Sequence, residues 1–373
     1  MPTPPIKLND LLLRFWRNKD YRSILIQIIT VLILFTFLGM IGNNVVTNLE
    51  KGGKEFSFGF LSYPAGYDIS FQPFISFYPT DTHLRAGVVG LLNTLLVAVT
   101  GVILASIMGF IMGILRLSNN WLISRLVYLF IEFARNVPIL LHILFVYSIF
   151  LYTLPVPKKA VNFSDSVFLT NRGFFIPSPV FEDGFGYVWF MMLAAIAAAV
   201  VFVIWERKNQ DKTGEKYPVI KISTAILIGL PLLTFFISGS SVSLDIPALR
   251  GFNFKGGTSI KPEYIALTFA LAYYTSTYIA EIVRSGILAV SKGQSEAAHA
   301  LGLSHAKTLR LVVIPQALRV IIPPLASQYL NLTKNSSLAI AIGYMDVVAT
   351  IGGISLMQTG REMETMIFVL LTY

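Results

Sequence analysis

The sequence predicts an all-α polytopic membrane protein with about eight transmembrane helices, and three observations carry that prediction. Of 373 residues, 54% are hydrophobic and only 13% charged, a composition of membrane-embedded chains rather than of a large soluble core. Apolar runs near the roughly 20 residues that cross a bilayer recur along the whole length. Between them Lys and Arg fall unevenly, seventeen on one side against nine on the other, which is the bias expected of cytoplasmic against outer loops.

Taken in order, residues 1–22 are basic, with an apolar patch at Leu11, Leu12, Leu13, Phe15 and Trp16. They read as an interfacial helix on the cytoplasmic face. Spans follow at 23–41, 87–115, 126–154, 187–205, 220–238, 264–290 and 320–344. A further apolar run begins at Met363 and stops at Tyr373. It is too short to span alone and is expected to be a helix cut by the end of the sequence. No small-residue cleavage site follows the first run, so the N-terminus does not read as a signal peptide. The charge bias places the N-terminus and the 291–315 loop in the cytoplasm. The same bias accounts for the net charge of +9 without nucleic acid as a partner.

The outer loops are long and aromatic, with Phe56, Phe58, Tyr63, Tyr67, Phe71, Phe77 and Tyr78 in the first. Such rings either rest at the membrane interface or form a platform for an extracytoplasmic protein. Gly109 and Gly113 have the spacing of a close helix crossing.

Cysteine is absent, which removes disulfides and thiol chemistry. His83, His142, His299 and His305 are scattered, and no phosphate-binding loop is present. No catalytic site, metal site or cofactor is expected, and the chain is not expected to hydrolyse ATP. Glu132 with Arg135 and Glu281 with Arg284 are i,i+3 pairs near the cytoplasmic ends of spans, where a structural ion pair is the expected role. Asn331, Thr333, Lys334, Asn335, Ser336 and Ser337 crowd polar groups into one span after Pro323 and Pro324. Together with Asn93, Thr94, Tyr273, Tyr274, Thr275, Ser276 and Thr277 they line a substrate path or, alternatively, bond helix to helix. A zwitterion offers a carboxylate and an ammonium that such groups can receive.

Between the last two full spans lies a polar connector. Ser295 reads as an N-cap, with Glu296 in the first turn where the helix dipole favours an acid. Ala297, Ala298 and Ala300 are strong helix formers. Gly302 can end the helix in a left-handed conformation. Ser304 can cap a second, basic helix that ends before Pro315. On local chemistry this is either a helix–turn–helix connector or a docking element.

Glu296-Ala297-Ala298, Gly302 after three residues, and Val312-Val313-Ile314-Pro315 after nine more resemble the EAA loop of ABC-transporter permeases. The resemblance implies that Glu296, Ala297, Ala298, Gly302 and Pro315 belong to a cytoplasmic helix pair that docks on a separate ATPase subunit. Further stretches are similar to the polar amino-acid uptake permeases. They are Gly90–Leu95, Tyr128–Pro138, Tyr278–Gly286, Pro315–Arg319 and Gln328–Leu338. Met345 departs from a Pro common there. An N-terminal span and two inserted spans are what the general L-amino-acid permeases carry.

The resemblance divides the chain into residues 1–86, holding the interfacial helix, first span and outer loop, and a permease domain over 87–373. The domain has the type I importer core, with insertions at about 155–262 and the coupling loop at 291–315. The implied function is the permease subunit of an ATP-driven amino-acid importer in a bacterial inner membrane, working by alternating access. The implied partners are the ABC ATPase, a second and non-identical permease, an extracytoplasmic amino-acid-binding protein and membrane lipid. An ion-gradient-driven transporter or channel would account for the polar groups but not for the helix pair. A non-transporting scaffold would leave the polar cluster unexplained.

Overall fold

The computed structural model describes residues 18–53 and 56–373. Most of the interfacial helix expected over residues 1–22 therefore lies outside the described residues. The chain that follows is helical, as the composition requires. Its helices are α1 (Lys19–Lys51), α2 (His83–Arg116), α3 (Trp121–Asn136), α4 (Ile139–Thr153), α5 (Phe185–Thr213), α6 (Val219–Ile237) and α7 (Pro262–Leu288). After these come α8 (Lys292–Ala300), α9 (His305–Thr308), α10 (Ile314–Asn335), α11 (Leu356–Thr359) and α12 (Glu362–Thr372).

Among the described residues, α1, α2, α5, α6 and the helical stretch His305–Ile342 are long and apolar enough to cross a membrane. The pair α3 and α4 adds a sixth if counted as one span, but it is bent by 104°. The span read over 126–154 is broken where the sequence places a break, at Pro138, which cannot donate a helical N–H and whose ring clashes with the preceding turn. Helix α7 has the length to span but carries too many polar side chains to match the apolar composition of the others. It tolerates them because it lies at the centre of the fold. Leu267, Leu271, Ile279 and Val283 of α7 are buried with Val97 and Ala105 of α2, Ile143 of α4, and Ile321 and Leu332 of α10.

The α2–α7 crossing is set by two glycines. A Cβ at Gly109 would lie 2.5 Å from Ile279 Cγ2 and 2.9 Å from the Ser276 carbonyl oxygen. One at Gly113 would lie 2.8 Å from the Ala280 carbonyl oxygen. Only a residue without a side chain lets the two backbones approach so closely.

The long loops expected on the outer side carry structure of their own. Residues 56–82 fold over the end of α2, burying Ala65, Ile69 and Phe77 against Ala86 and Val89. The Tyr67 hydroxyl donates to the Thr350 carbonyl at 3.2 Å. Among the described residues, eight short strands stand where the sequence predicts long loops. These are β1 (Val161–Asn162), β2 (Phe168–Thr170), β3 (Gly173–Ile176), β4 (Ser178–Phe181), β5 (Val242–Asp245), β6 (Ala248–Arg250), β7 (Asn253–Lys255) and β8 (Thr258–Ile260). They form an antiparallel sheet in the order β1-β2-β3-β8 and two ribbons, β4-β5 and β6-β7. Phe174 pairs with Ile260 across the two inserted loops. Phe254 stacks on Phe168 at 4.4 Å and packs against Phe175 at 5.1 Å. Some of the outer aromatic residues thus build a small core of their own rather than resting on lipid.

Candidate functional site

The connector is two short helices joined by a tight turn. Gly302 has φ +80°, its N–H donates to the His299 carbonyl at 2.9 Å, and the Leu303 N–H donates to Ala298 at 3.1 Å. Those two bonds around a left-handed glycine are a Schellman cap. Glu296 and Ala297 are exposed while Ala298 is buried. Two local expectations are corrected. The helix starts at Lys292 with Ser291 as its N-cap, so Ser295 caps nothing and Glu296 sits a turn too late to meet the positive end of the dipole. Nor does Pro315 end the basic helix. It lies at the start of α10, directly after a helical turn of different hydrogen-bond pattern, and the helix continues through it. A π-helical turn, Leu309–Val313, joins α9 to α10, so the connector runs into the next span as helix. The Gln316 amide donates to Gln294 at 3.1 Å and ties the two together.

The ion pairs differ from each other. Arg284 meets Glu281 at 3.3 Å, and Glu281 also contacts Arg116 from the end of α2. This is a junction of two helices rather than a pair within one. Glu132 and Arg135 are 4.0 Å apart and partly exposed. The Arg135 guanidinium lies over the Tyr278 ring, 5.1 Å from its centre.

A polar cavity of about 290 Å³ opens between α7 and α10. It is lined by Tyr274, Thr275 and Tyr278 from one helix and Gln328, Asn331, Lys334 and Asn335 from the other. Lys334 is the sole charged residue of this lining, which includes no carboxylate. The Tyr274 and Tyr278 hydroxyls are 2.9 Å apart. Of the path candidates, Tyr274, Thr275, Asn331, Lys334 and Asn335 come together here.

The others do not join them. Asn93 is buried, and its amide donates to the carbonyls of Phe71 at 2.9 Å and Met345 at 3.0 Å. The Tyr344 hydroxyl donates to the Asn93 carbonyl at 3.0 Å. Thr94 bonds Gly90 and Val347. The Ser276 and Thr277 hydroxyls donate to carbonyls one turn back in α7. Ser336 lies 2.7 Å from the Tyr373 hydroxyl. Thr333 and Ser337 also bond carbonyls of their own segment. Tyr273 faces a separate apolar cavity beside His142. Asn93, Thr94 and Ser336 thus bond one segment to another, Ser276 and Thr277 bond within α7, and all five lie outside the cavity lining.

Two lining residues, Tyr278 and Gln328, were missed by sequence reasoning. Helical spacing marks both, since Tyr278 is four residues after Tyr274 and Gln328 three before Asn331. Among the described residues no group of three or more His, Cys, Asp or Glu side chains could hold a metal ion.

Residues 218–373 match the family described as "Binding-protein-dependent transport system inner membrane component". The chain is 48% identical to the general L-amino acid transport system permease protein AapQ of Rhizobium johnstonii over 347 residues, covering 93% of this chain and 86% of that protein. It is 47% identical to the putative amino-acid ABC transporter permease protein YhdX of Escherichia coli, covering 95% and 90%. Against the glutamate/glutamine/aspartate/asparagine transport system permease protein BztB of Rhodobacter capsulatus the figures are 45%, 95% and 89%. A multi-pass helical fold with a capped connector ahead of its polar span, matched along nearly its whole length by such relatives, belongs to the amino-acid ABC transporter permease family.

Proposed function

We propose that this chain forms the translocation path of an ATP-driven amino-acid importer and couples that path to a separate ATPase. The observation that carries the reading is continuity. Helix α10 grows out of the connector and brings Gln328, Asn331, Lys334 and Asn335 to the polar cavity. Its 22 residues reach about 33 Å at 1.5 Å per residue. A push on α8 and α9 thus moves the cavity wall as one helical lever.

The cavity chemistry suits a zwitterion. The Lys334 ammonium and the side-chain amides present donors to a carboxylate. The amide and phenol oxygens accept from an α-ammonium. Differential contacts of the ATPase with α8 and α9 in its two states would bias the path between its inward and outward forms. A second permease would complete the path, and an extracytoplasmic binding protein would deliver the amino acid to the outer face.

Two substitutions test the path. Asn335→Leu removes hydrogen bonds to a charged ligand, worth ~1.5–3 kcal/mol. The apparent uptake affinity is expected to fall roughly ten- to hundredfold. Asn93→Leu removes the two buried bonds that its amide donates to the Phe71 and Met345 carbonyls, so it is expected to lower the yield of folded protein and leave the affinity of the surviving fraction unchanged. Equal affinities in both variants, normalised to assembled complex, would remove the cavity from the path.

Orientation has its own test, because a chain without cysteine accepts single reporters. His299 and Ser57 are both exposed. His299→Cys is expected to react only with a thiol reagent admitted to the cytoplasm, and Ser57→Cys with an impermeant reagent added outside. The opposite pattern would invert the topology.

A further inference from the structure

A second cavity, of about 500 Å³, opens at the connector end of the helices, between the end of α2, the start of α3 and the end of α7. Arg116, Arg125 and Arg284 all line it, with Tyr128, Ser124 and Trp121. The Tyr128 ring collects two of the guanidinium groups, Arg116 at 4.9 Å and Arg125 at 5.3 Å from its centre. Among the described residues the only carboxylate ion-paired with these arginines is Glu281, shared by Arg116 and Arg284. Among the described residues no carboxylate pairs with Arg125. Three cations against one anion leave an excess of about two positive charges around a space large enough for a phosphate and its ester substituents. Guanidinium groups are suited to that ligand, because their planar fork donates to two phosphate oxygens at once.

The surface beside the cavity says where the phosphate comes from. Helix α3 is two-faced: Arg125, Tyr128 and Glu132 follow one side, while Leu122, Leu126, Leu129 and Phe133 form an exposed apolar stripe on the other. Trp121, at the mouth of the cavity, is 75% exposed. An exposed indole next to an apolar stripe is the arrangement of a membrane-interface anchor. A basic pocket between spans at that depth is placed for a lipid headgroup. We propose that this cavity binds the phosphate of an anionic phospholipid, with the acyl chains along the Leu122–Phe133 stripe. The site is separate from the polar cavity between α7 and α10, and the proposal does not depend on the transport reading.

The test is a calorimetric titration of the full chain, purified in zwitterionic detergent, with short-chain phosphatidylglycerol, phosphatidylcholine and inorganic phosphate. Saturable binding of phosphatidylglycerol, and none of phosphatidylcholine, is expected. Arg125 is exposed, so Arg125→Gln is expected to keep its elution profile and lose roughly tenfold in affinity, one charged hydrogen bond's worth. Arg125→Lys, which keeps the charge and loses the fork, is expected to fall between. Trp121→Ala is expected to weaken the lipid and not inorganic phosphate. Inorganic phosphate competing as well as the lipid would assign the cavity to a soluble anion and overturn the lipid proposal. Equal binding of the two lipids, or an unchanged Arg125→Gln, would overturn it as well. A flat titration, with the ATPase subunit lost from Arg125→Gln preparations, would overturn it in favour of a protein contact.

Discussion

Gly109→Leu is expected to prevent assembly of the helical core, reducing folded protein recovered in mild detergent at least tenfold. The neighbours of a side chain at that position cannot yield. They are the Cγ2 and Cβ atoms of Ile279, at 2.5 and 2.6 Å, and the Ser276 carbonyl oxygen at 2.9 Å. Two of the three are a β-branched stem and a backbone atom, so relief requires α2 and α7 to separate. Overpacking usually costs ~1–3 kcal/mol and sometimes more. Here separation also strips contact from the most buried helix of the fold, against a total stability of only about 5–15 kcal/mol for ordinary domains. Gly229→Leu in α6 is the control, because nothing lies within 4 Å of its Cβ position; recovery of that variant is expected to be normal. Detergent extraction followed by gel filtration reads both. A normal Gly109→Leu profile would refute the α2–α7 crossing.

Gly302→Asp is expected to leave the chain folded and membrane-inserted yet cut uptake by the assembled transporter at least tenfold. Nothing lies within 4 Å of a Cβ at this site, so packing is not the cause. The backbone is: φ is +80°, a region that costs an L-residue about 1–2 kcal/mol. The carboxylate adds an unfavourable charge at the negative end of α8. The cap relaxes, and α8 and α9 lose the fixed angle at which a partner would meet them. Gly302→Asn separates the two contributions, since Asn visits the left-handed region and carries no charge; it is expected to retain most uptake. Uptake and ATPase co-purification, both normalised to expressed chain, are the measurements. Normal uptake in Gly302→Asp would remove the coupling role of the connector.

What the sequence made legible was local. The spans follow from composition, and the Gly302 cap from a glycine placed after a run of helix formers. Three of the cavity side chains follow from polar residues crowded onto α10. What stayed hidden depends on partners far along the chain. Asn93 reads as a path residue until the carbonyls of Phe71 and Met345, 22 and 252 residues away, claim its amide. Glu281 looks paired with Arg284 one turn later, and nothing local announces Arg116 as a second partner. Pro138 marks a break between α3 and α4, but no property of a proline sets the bend at 104°. The outer strands are two to four residues long, too short for any alternation of side chains to declare them before their partners arrive.

That last point sets an order of events during biosynthesis. Phe174 in β3 finds its partner Ile260 in β8 only after both inserted helices have been made. Translation at ~5–20 residues per second puts on the order of ten seconds between the two. Through that interval one edge of β3 stays open, with unpaired N–H and C=O groups able to join any passing strand. The sheet closes only once α5 and α6 both stand in the bilayer in their final directions and α7 is about to follow. A ribosome halted between the two strands would therefore leave the nascent protein with a sticky edge, and under the proposed orientation that edge would meet the proteases and chaperones of the outer compartment, not those of the side on which the chain is made.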